Sequence, residues 1–340
     1  MIKYILHRLG WSLLVLFGLS VIIFVISRIM PGDPARISLG PQATEEAVQR
    51  LRGQMHLDDP IFVQYSYWIT SAVRGDLGES LMTKRPVLQD VKEFLPNTLE
   101  LIILAAVIQI VFGIILGQTG AKYSNKWPDF LIRIFSYVGI ATPAFVMAVL
   151  FLLIFGFWWP ILPQIGGRIS SDIRVVNITG FVTFDAIITG NMKAFINSLQ
   201  HLIFPAISLA IGCIAQEARI TRSSMLDNAS KDYINMMTAQ GVPSRIITRK
   251  YLFRPSIIPT VSIMGLDFAS AFSNAFLVET IFTFPGMSRY GVTAMLRKDL
   301  NAVCAVVLIL GVIFVVANII VDIVISLLDP QVSLSSKGGA

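Results

Sequence analysis

Charge is scarce in this chain. Only 14% of its 340 residues are Asp, Glu, Lys or Arg, whereas 54% are hydrophobic and the mean hydropathy is +0.70. That balance excludes an ordinary soluble domain and points to a polytopic membrane protein. The net charge of +6 is modest, and the basic residues cluster beside apolar runs. They read as topology bias, with no nucleic-acid partner expected. There are two cysteines, Cys213 and Cys304, both in apolar runs, so they read as small core residues with no disulfide or metal role. The three histidines (His7, His56, His201) lie far apart, and no H-E-x-x-H occurs. Neither a G-x-x-x-x-G-K-[ST] phosphate loop nor a nucleophile elbow is present. An enzyme is therefore not expected, and energy for any transport must come from a partner chain or an ion gradient.

What the chain does have is long apolar runs. Lys3, His7 and Arg8 precede the first, Leu9 to Ile26, which is too long for a secretory leader and lacks a small-residue cleavage site. It reads as a retained span over 1–30 with a cytosolic N-terminus, ended by Pro31 and Pro34. Residues 31–97 form a polar segment without a span. Within it Thr44 starts a helix with Val48, Leu51 and Met55 on its apolar side, and Phe62, Tyr65, Trp68, Ile69 and Val73 suggest a second. The segment reads as a small external helical lobe, because long translocated stretches escape the positive-inside bias.

Residues 98–330 then carry five further runs. The second span runs to about Gly120, and Gly113, Gly117 and Gly120 permit close helix approach. The third covers about 134–158 with Pro143 inside it. The fourth covers about 201–218 with Pro205, the fifth about 255–282 and the sixth about 302–328. Residues 331–340 form a cytoplasmic tail. The expected fold is all-α, a six-span membrane protein with both ends in the cytosol; 160–200 is a loop of unassigned path.

One stretch interrupts this pattern. Arg219, Arg222, Lys231, Arg245, Arg249, Lys250 and Arg254 make the loop 222–255 basic, so it belongs in the cytosol. Leu226, Ala229, Tyr233, Met236 and Met237 recur at helical spacing. Gly241 breaks that helix, and Pro243 suits the first turn of another. The reading is helix, glycine corner, helix.

This stretch resembles the cytoplasmic EAA loop of permease subunits of ATP-binding-cassette importers, in the dipeptide/oligopeptide/nickel branch. The matching positions are Ser223, Ser224, Met225, Leu226, Asp232, Tyr233, Ala239, Gly241, Ile257, Ile258 and Pro259. Two positions depart: Met237 stands where Ala is usual, and Gln240 where Lys is common. Further similarity lies in Pro31-Gly32-Asp33-Pro34, in 74–80 and 84–87, and in 95–100. It continues in Ala141-Thr142-Pro143, in Glu279-Thr280-Ile281-Phe282-Thr283-Phe284-Pro285-Gly286, and in Leu328-Asp329-Pro330. The resemblance implies a type I importer permease, one of two forming a pseudo-twofold pore that works by alternating access. It implies two ATPase subunits carrying ATP and magnesium, a second permease chain and an extracytoplasmic solute-binding protein that docks on 31–97. Tyr233, Met237, Ala239, Gly241 and Pro243 would then meet an ATPase subunit. Small peptides are the expected cargo, with nickel complexes and oligosaccharides as alternatives. A stand-alone secondary carrier is the competing class, but six spans are few for one, and the corner would have no role in it.

Asp267, Asn274 and Glu279 are candidates for the pore or the permease–permease interface. An unpaired charge at Asp267, in mid-span, would cost ~2.5–3.5 kcal/mol on insertion scales. It either attracts a cationic group in the pore or sits paired or protonated at an interface. Asn318 with Asp322, one turn apart, and Glu217 beside Arg219 read as structural.

Overall fold

The computed structural model describes residues 2–29, 33–40, 42–54, 56–161 and 166–328, and every regular element among them is a helix. Pro31, Gly32, Met55, Pro163, Asp329, Pro330 and the tail 331–340 lie outside these residues. The first helix, α1, covers Ile2–Ile29. The chain resumes at Asp33, whose carboxylate accepts the Ala35 N–H at 3.0 Å and caps α2 (Pro34–Leu39). Thr44 precedes α3 (Glu45–Gln54), in which Val48 is buried. Next, α4 (Ile61–Val73) lies against α1. The Tyr65 and Ser20 hydroxyls are 2.7 Å apart, and the rings of Tyr65 and Trp68 pack on Phe24 at 5.3 and 5.7 Å. Phe62 and Val73, read from sequence as part of that apolar side, instead stand 84% and 82% exposed.

The second span begins earlier than its apolar run. Helix α5 covers Val87–Lys122 and carries Pro96 inside it. Its first turns contain polar residues that distant segments satisfy. Asp90, fully buried, accepts from Thr83 Oγ1 at 2.6 Å, from the Tyr290 hydroxyl at 2.7 Å and from Arg85. Pro143 likewise does more than kink the third span. It forces Thr142 into extended backbone (φ −98°, ψ 116°), since the residue before a proline is crowded out of the helical region. The span divides there into α6 (Trp127–Ala141) and α7 (Ala144–Phe151), the latter continuing as a π-helix over Leu152–Trp158. The two halves meet at 105°.

The stretch 166–191, unassigned from sequence, is tied down by carboxylates. Asp185 in α8 (Val182–Ile188) accepts the N–H groups of Ile178, Thr179 and Gly180 at 3.0–3.3 Å and the Thr179 hydroxyl at 2.6 Å. Burial pushes its pKa up, but these donors outweigh burial and hold it below the usual carboxylate range. Glu100 of α5 accepts Arg168 Nη2 and the Thr183 N–H, each at 2.6 Å.

Helix α9 runs from Met192 to Ala229, starting before the expected His201. At ~1.5 Å per residue its 38 residues reach ~57 Å, well beyond a ~30 Å hydrocarbon core. It therefore carries the span directly into the basic loop. The loop holds α10 (Asp232–Ala239), α11 (Ser244–Ile246) and a π-helical turn over Ile247–Leu252. Helix α12 (Phe253–Ile281) follows, bent by 50° between Phe268 and Ser270, then α13 (Met287–Leu296) and α14 (Leu300–Leu328). Among the described residues four helices can each cross a membrane by length and composition, and the number reaches six when each bent pair counts as one span.

The core is built where α5, α9 and α12 meet, around Leu101, Ile102, Leu202, Ala206, Ala210 and Val278. Small residues let these helices approach closely. At Gly117 a Cβ would lie 2.8 Å from Thr221 Cγ2 and 2.9 Å from the Ala218 carbonyl oxygen. At Gly113 it would overlap Glu217, and at Gly120 it would stand 3.2 Å from Arg222 Cδ. All three glycines thus face α9, as their spacing predicts. Forcing atoms into packing this tight costs ~1–3 kcal/mol. Gly117→Leu is therefore expected to lower the thermal midpoint of the detergent-solubilised protein by several degrees and to reduce membrane yield. An unchanged midpoint would show that the two helices are not in hard contact.

Candidate functional site

The corner at Gly241 is a defined helix terminator. The Val242 N–H donates to the Met237 carbonyl and the Gly241 N–H to the Thr238 carbonyl, both at 3.1 Å. This is the Schellman arrangement, and it requires left-handed backbone at the first residue after the cap, here Gly241. Gly241 has φ +75°, and a Cβ added there would meet nothing within 4 Å. Glycine is needed for its backbone, not for space. Pro243 then caps the next segment at Ser244. Ala239, Gln240, Gly241 and Pro243 are exposed, while Tyr233 and Met237 are half-buried. Ile234 is the buried residue of α10 and did not stand out in the sequence; Ile247, one of the apolar residues of the second segment, is the buried residue of the π-helical turn. The stripe expected through Leu226, Ala229, Tyr233, Met236 and Met237 is not one helix face. The chain leaves helix at Ser230–Lys231, and Met236 is 55% exposed.

The two arms of the corner are tied to each other, and the spans that carry them are tied together. Pro255 has no N–H to offer the Tyr251 carbonyl in the ordinary helical register. The Tyr233 hydroxyl donates to that carbonyl instead, at 3.2 Å. Asn228 Nδ2 donates to the Ser224 carbonyl at 2.8 Å and to Ser256 Oγ at 3.1 Å. Deeper, the Thr221 and Thr260 hydroxyls meet at 2.9 Å in a buried contact. The end of α9 and the start of α12 are thereby locked together.

A third tie runs from α9 to the first turn of α6. Asp129, fully buried, accepts Arg222 through Nε and, at 2.9 Å, through Nη2, and also accepts the Asn125 N–H at 2.9 Å. The sequence showed only a basic turn here, because Asp129 and its partner lie 93 positions apart.

The remaining candidates occupy different settings. Glu279 is fully enclosed within this chain and does not face outward. It accepts Thr98 Oγ1 at 2.6 Å and the Arg289 N–H at 2.8 Å, while Thr98 Oγ1 accepts the Met287 N–H at 2.7 Å. Glu279 and Thr98 together satisfy first-turn N–H groups of α13, donors that a helix leaves unpaired. Gly286 leaves room for this carboxylate, since a Cβ there would overlap it. Thr283 has φ +52° at the end of α12, an uncommon backbone for a β-branched residue, and Arg289 Nη1 donates to its carbonyl at 2.9 Å. Asn274 is exposed on α12. Asp267 is half-buried, with Oδ2 buried and without a hydrogen-bond partner among the described residues. Glu217 does not pair with Arg219: it is fully buried, whereas Arg219 is exposed.

Removing one partner of a buried ion pair costs ~3–5 kcal/mol, because the other charge is stranded. Arg222→Asp and Asp129→Arg, each alone, are expected to lower the thermal midpoint and abolish most transport. The double exchange is expected to recover a substantial part of both. No recovery in the double variant, with either single variant behaving as wild type, would remove this tie from the account.

The family described as "Binding-protein-dependent transport system inner membrane component" matches residues 109–334. The one described as "Binding-prot-dependent transport system membrane comp, N-term" matches residues 1–102. The chain is 38% identical over 337 residues to a probable D,D-dipeptide transport system permease protein of Escherichia coli (strain K12), covering 98% of each chain. It is 34% identical to a dipeptide transport system permease protein of Alkalihalophilus pseudofirmus, over 98% of this chain and 99% of that one. A glutathione transport system permease protein of Escherichia coli O6:H1 is 31% identical over the same shares.

Proposed function

Because the chain belongs to the binding-protein-dependent transport system inner membrane components, we propose that it forms half of the translocation pore of an ATP-driven importer of di- and oligopeptides. Peptide cargo is supported by relatives named for dipeptides and glutathione along nearly their whole length. Nickel complexes and oligosaccharides are not favoured. The pore's other half is a second permease chain of the same kind. ATP and magnesium belong to two partner ATPase subunits, and an extracytoplasmic protein delivers cargo to the face formed by 31–97. The basic flanks of the corner put it in the cytosol and both termini with it.

The observation that carries this reading is the corner itself: an exposed turn at 239–243 whose two arms are tied together through Tyr233 and Tyr251, carried on spans α9 and α12 that are tied to each other and, through Arg222, to α6. A turn so held moves only if those helices move. Closure of the ATPases would therefore push the corner, and the attached spans would swing between inward- and outward-facing arrangements. Asp267 and Asn274 belong to the faces that meet the pore or the second permease, whereas Glu279 keeps the end of α12 folded onto α5 and α13.

The test uses Gly241→Asp and Gly241→Asn in the reconstituted complex. Asp and Asn tolerate left-handed backbone better than other side chains, and the space is open, so both variants are expected to insert and assemble. Gly241→Asp places a charge on the contact. Cargo-stimulated ATP hydrolysis and uptake are expected to fall together by at least ~10-fold (a loss of ~1.4 kcal/mol or more), with a smaller fall in Gly241→Asn. Cargo binding by the isolated external protein stays unchanged. Full stimulation in Gly241→Asp would withdraw the corner as the ATPase contact.

A further inference from the structure

A second feature lies behind the corner. A cavity of about 710 Å³ opens between the last turn of α5, the end of α9 and the segment Ser244–Phe253. Its floor is apolar, built from Met225, Leu226, Leu252 and Phe253. Lys122, Arg245 and Arg249 stand on its rim, all exposed, and no acidic residue lines it. None of the three forms an ion pair among the described residues; the Lys122 ammonium instead sits 5.2 Å from the Tyr123 ring centroid.

The cavity's α5 residues Gln118 and Lys122 share a helix face with an apolar track. Val107, Val111 and Ile115 precede Gln118 and Lys122 at helical spacing, on one face. These three are 52%, 44% and 52% exposed in this chain. An apolar stripe that ends in a cationic rim, where a span leaves the hydrocarbon, matches the two halves of a phospholipid.

We propose that this cavity binds one anionic phospholipid, its phosphate held by Lys122, Arg245 and Arg249 and an acyl chain laid along α5. The site rests on α5 and α9 crossing the membrane, and not on the identity of the cargo. An acidic side chain of an ATPase subunit would suit the rim, but it would leave the stripe on α5 unexplained. A lipid here would brace the segment after the corner against α5, so its occupancy bears on how firmly the corner is held.

The experiment uses the assembled, delipidated transporter with dioleoyl phosphatidylglycerol or dioleoyl phosphatidylcholine as probe, read by native mass spectrometry. One phosphatidylglycerol per copy of this chain is expected to be retained, and phosphatidylcholine is not. A juxtamembrane cation strengthens such binding by about 5-fold. Arg249→Gln alone should weaken retention by about that factor, and the triple change Lys122→Gln/Arg245→Gln/Arg249→Gln by on the order of 100-fold. Arg297→Gln, an exposed cation on another part of the chain, should have no effect. Millimolar inorganic phosphate should not displace the lipid, because it lacks the acyl chain. Equal retention of both lipids would overturn the proposal, as would displacement by phosphate alone. Loss of the ATPase subunits from Arg249→Gln with phosphatidylglycerol still bound would assign the cations to the ATPase and overturn it too. The single variant keeps the test decisive if the triple variant does not assemble.

Discussion

The seam between α5 and α9 is the constraint on which the rest depends. Gly113, Gly117 and Gly120 bring the two backbones so close that side-chain and carbonyl atoms of α9 occupy the space a Cβ would need. In a membrane the hydrophobic effect does little to hold helices together, so close packing and buried polar contacts must do it. The seam supplies the packing. It also sets the position of Arg222, beside Gly120, and thereby the pair with Asp129 that anchors the turn into α6. Because α9 runs without a break into the basic loop, the corner inherits its position from the same contact.

At the other end of the molecule buried carboxylates perform a similar task. Asp90, Glu100 and Glu279 all lie inside the protein, and each collects a donor from a segment far away in the chain. Unsatisfied groups at these depths would be costly, so each carboxylate selects one arrangement of the helices around it. The strained backbone at Thr283 is tolerated for this reason. Arg289 and the Glu279 cluster hold the residues around it from several directions.

The features legible in the sequence were those with a local cause. Glycines at 113, 117 and 120 share a helix face by spacing alone, and the seam confirms that face. Gly241 followed by Pro243 marked a helix stop and restart, and the turn is there. Features with a distant cause were not legible. Helix α5 starts before its apolar run because Asp90 is satisfied inside the fold by Tyr290, and its polarity alone reads as loop. By sequence Pro143 lies inside one third span; the 105° break there was not legible, because a proline restricts its neighbour's backbone without choosing the direction of the next helix. Glu217 and Arg219 looked like neighbours, yet residues two apart on a helix point to different faces. The stretches 95–100 and 279–286 each looked distinctive alone; only the fold shows that Thr98 joins Glu279 and the Met287 N–H in one hydrogen-bonded cluster.

The central claim is that the corner at 239–243 is where this chain receives force from an ATP-hydrolysing partner. Site-directed cross-linking in the reconstituted complex tests it most directly. The native cysteines are half-buried (Cys213) and buried (Cys304), so a new exposed cysteine dominates the labelling. With Gln240→Cys and a short bismaleimide, the account predicts an adduct between this chain and an ATPase subunit. With Lys298→Cys, in the turn between α13 and α14, it predicts none. An adduct from Gln240→Cys to the external solute-binding protein, or equal ATPase adducts from both positions, would contradict it.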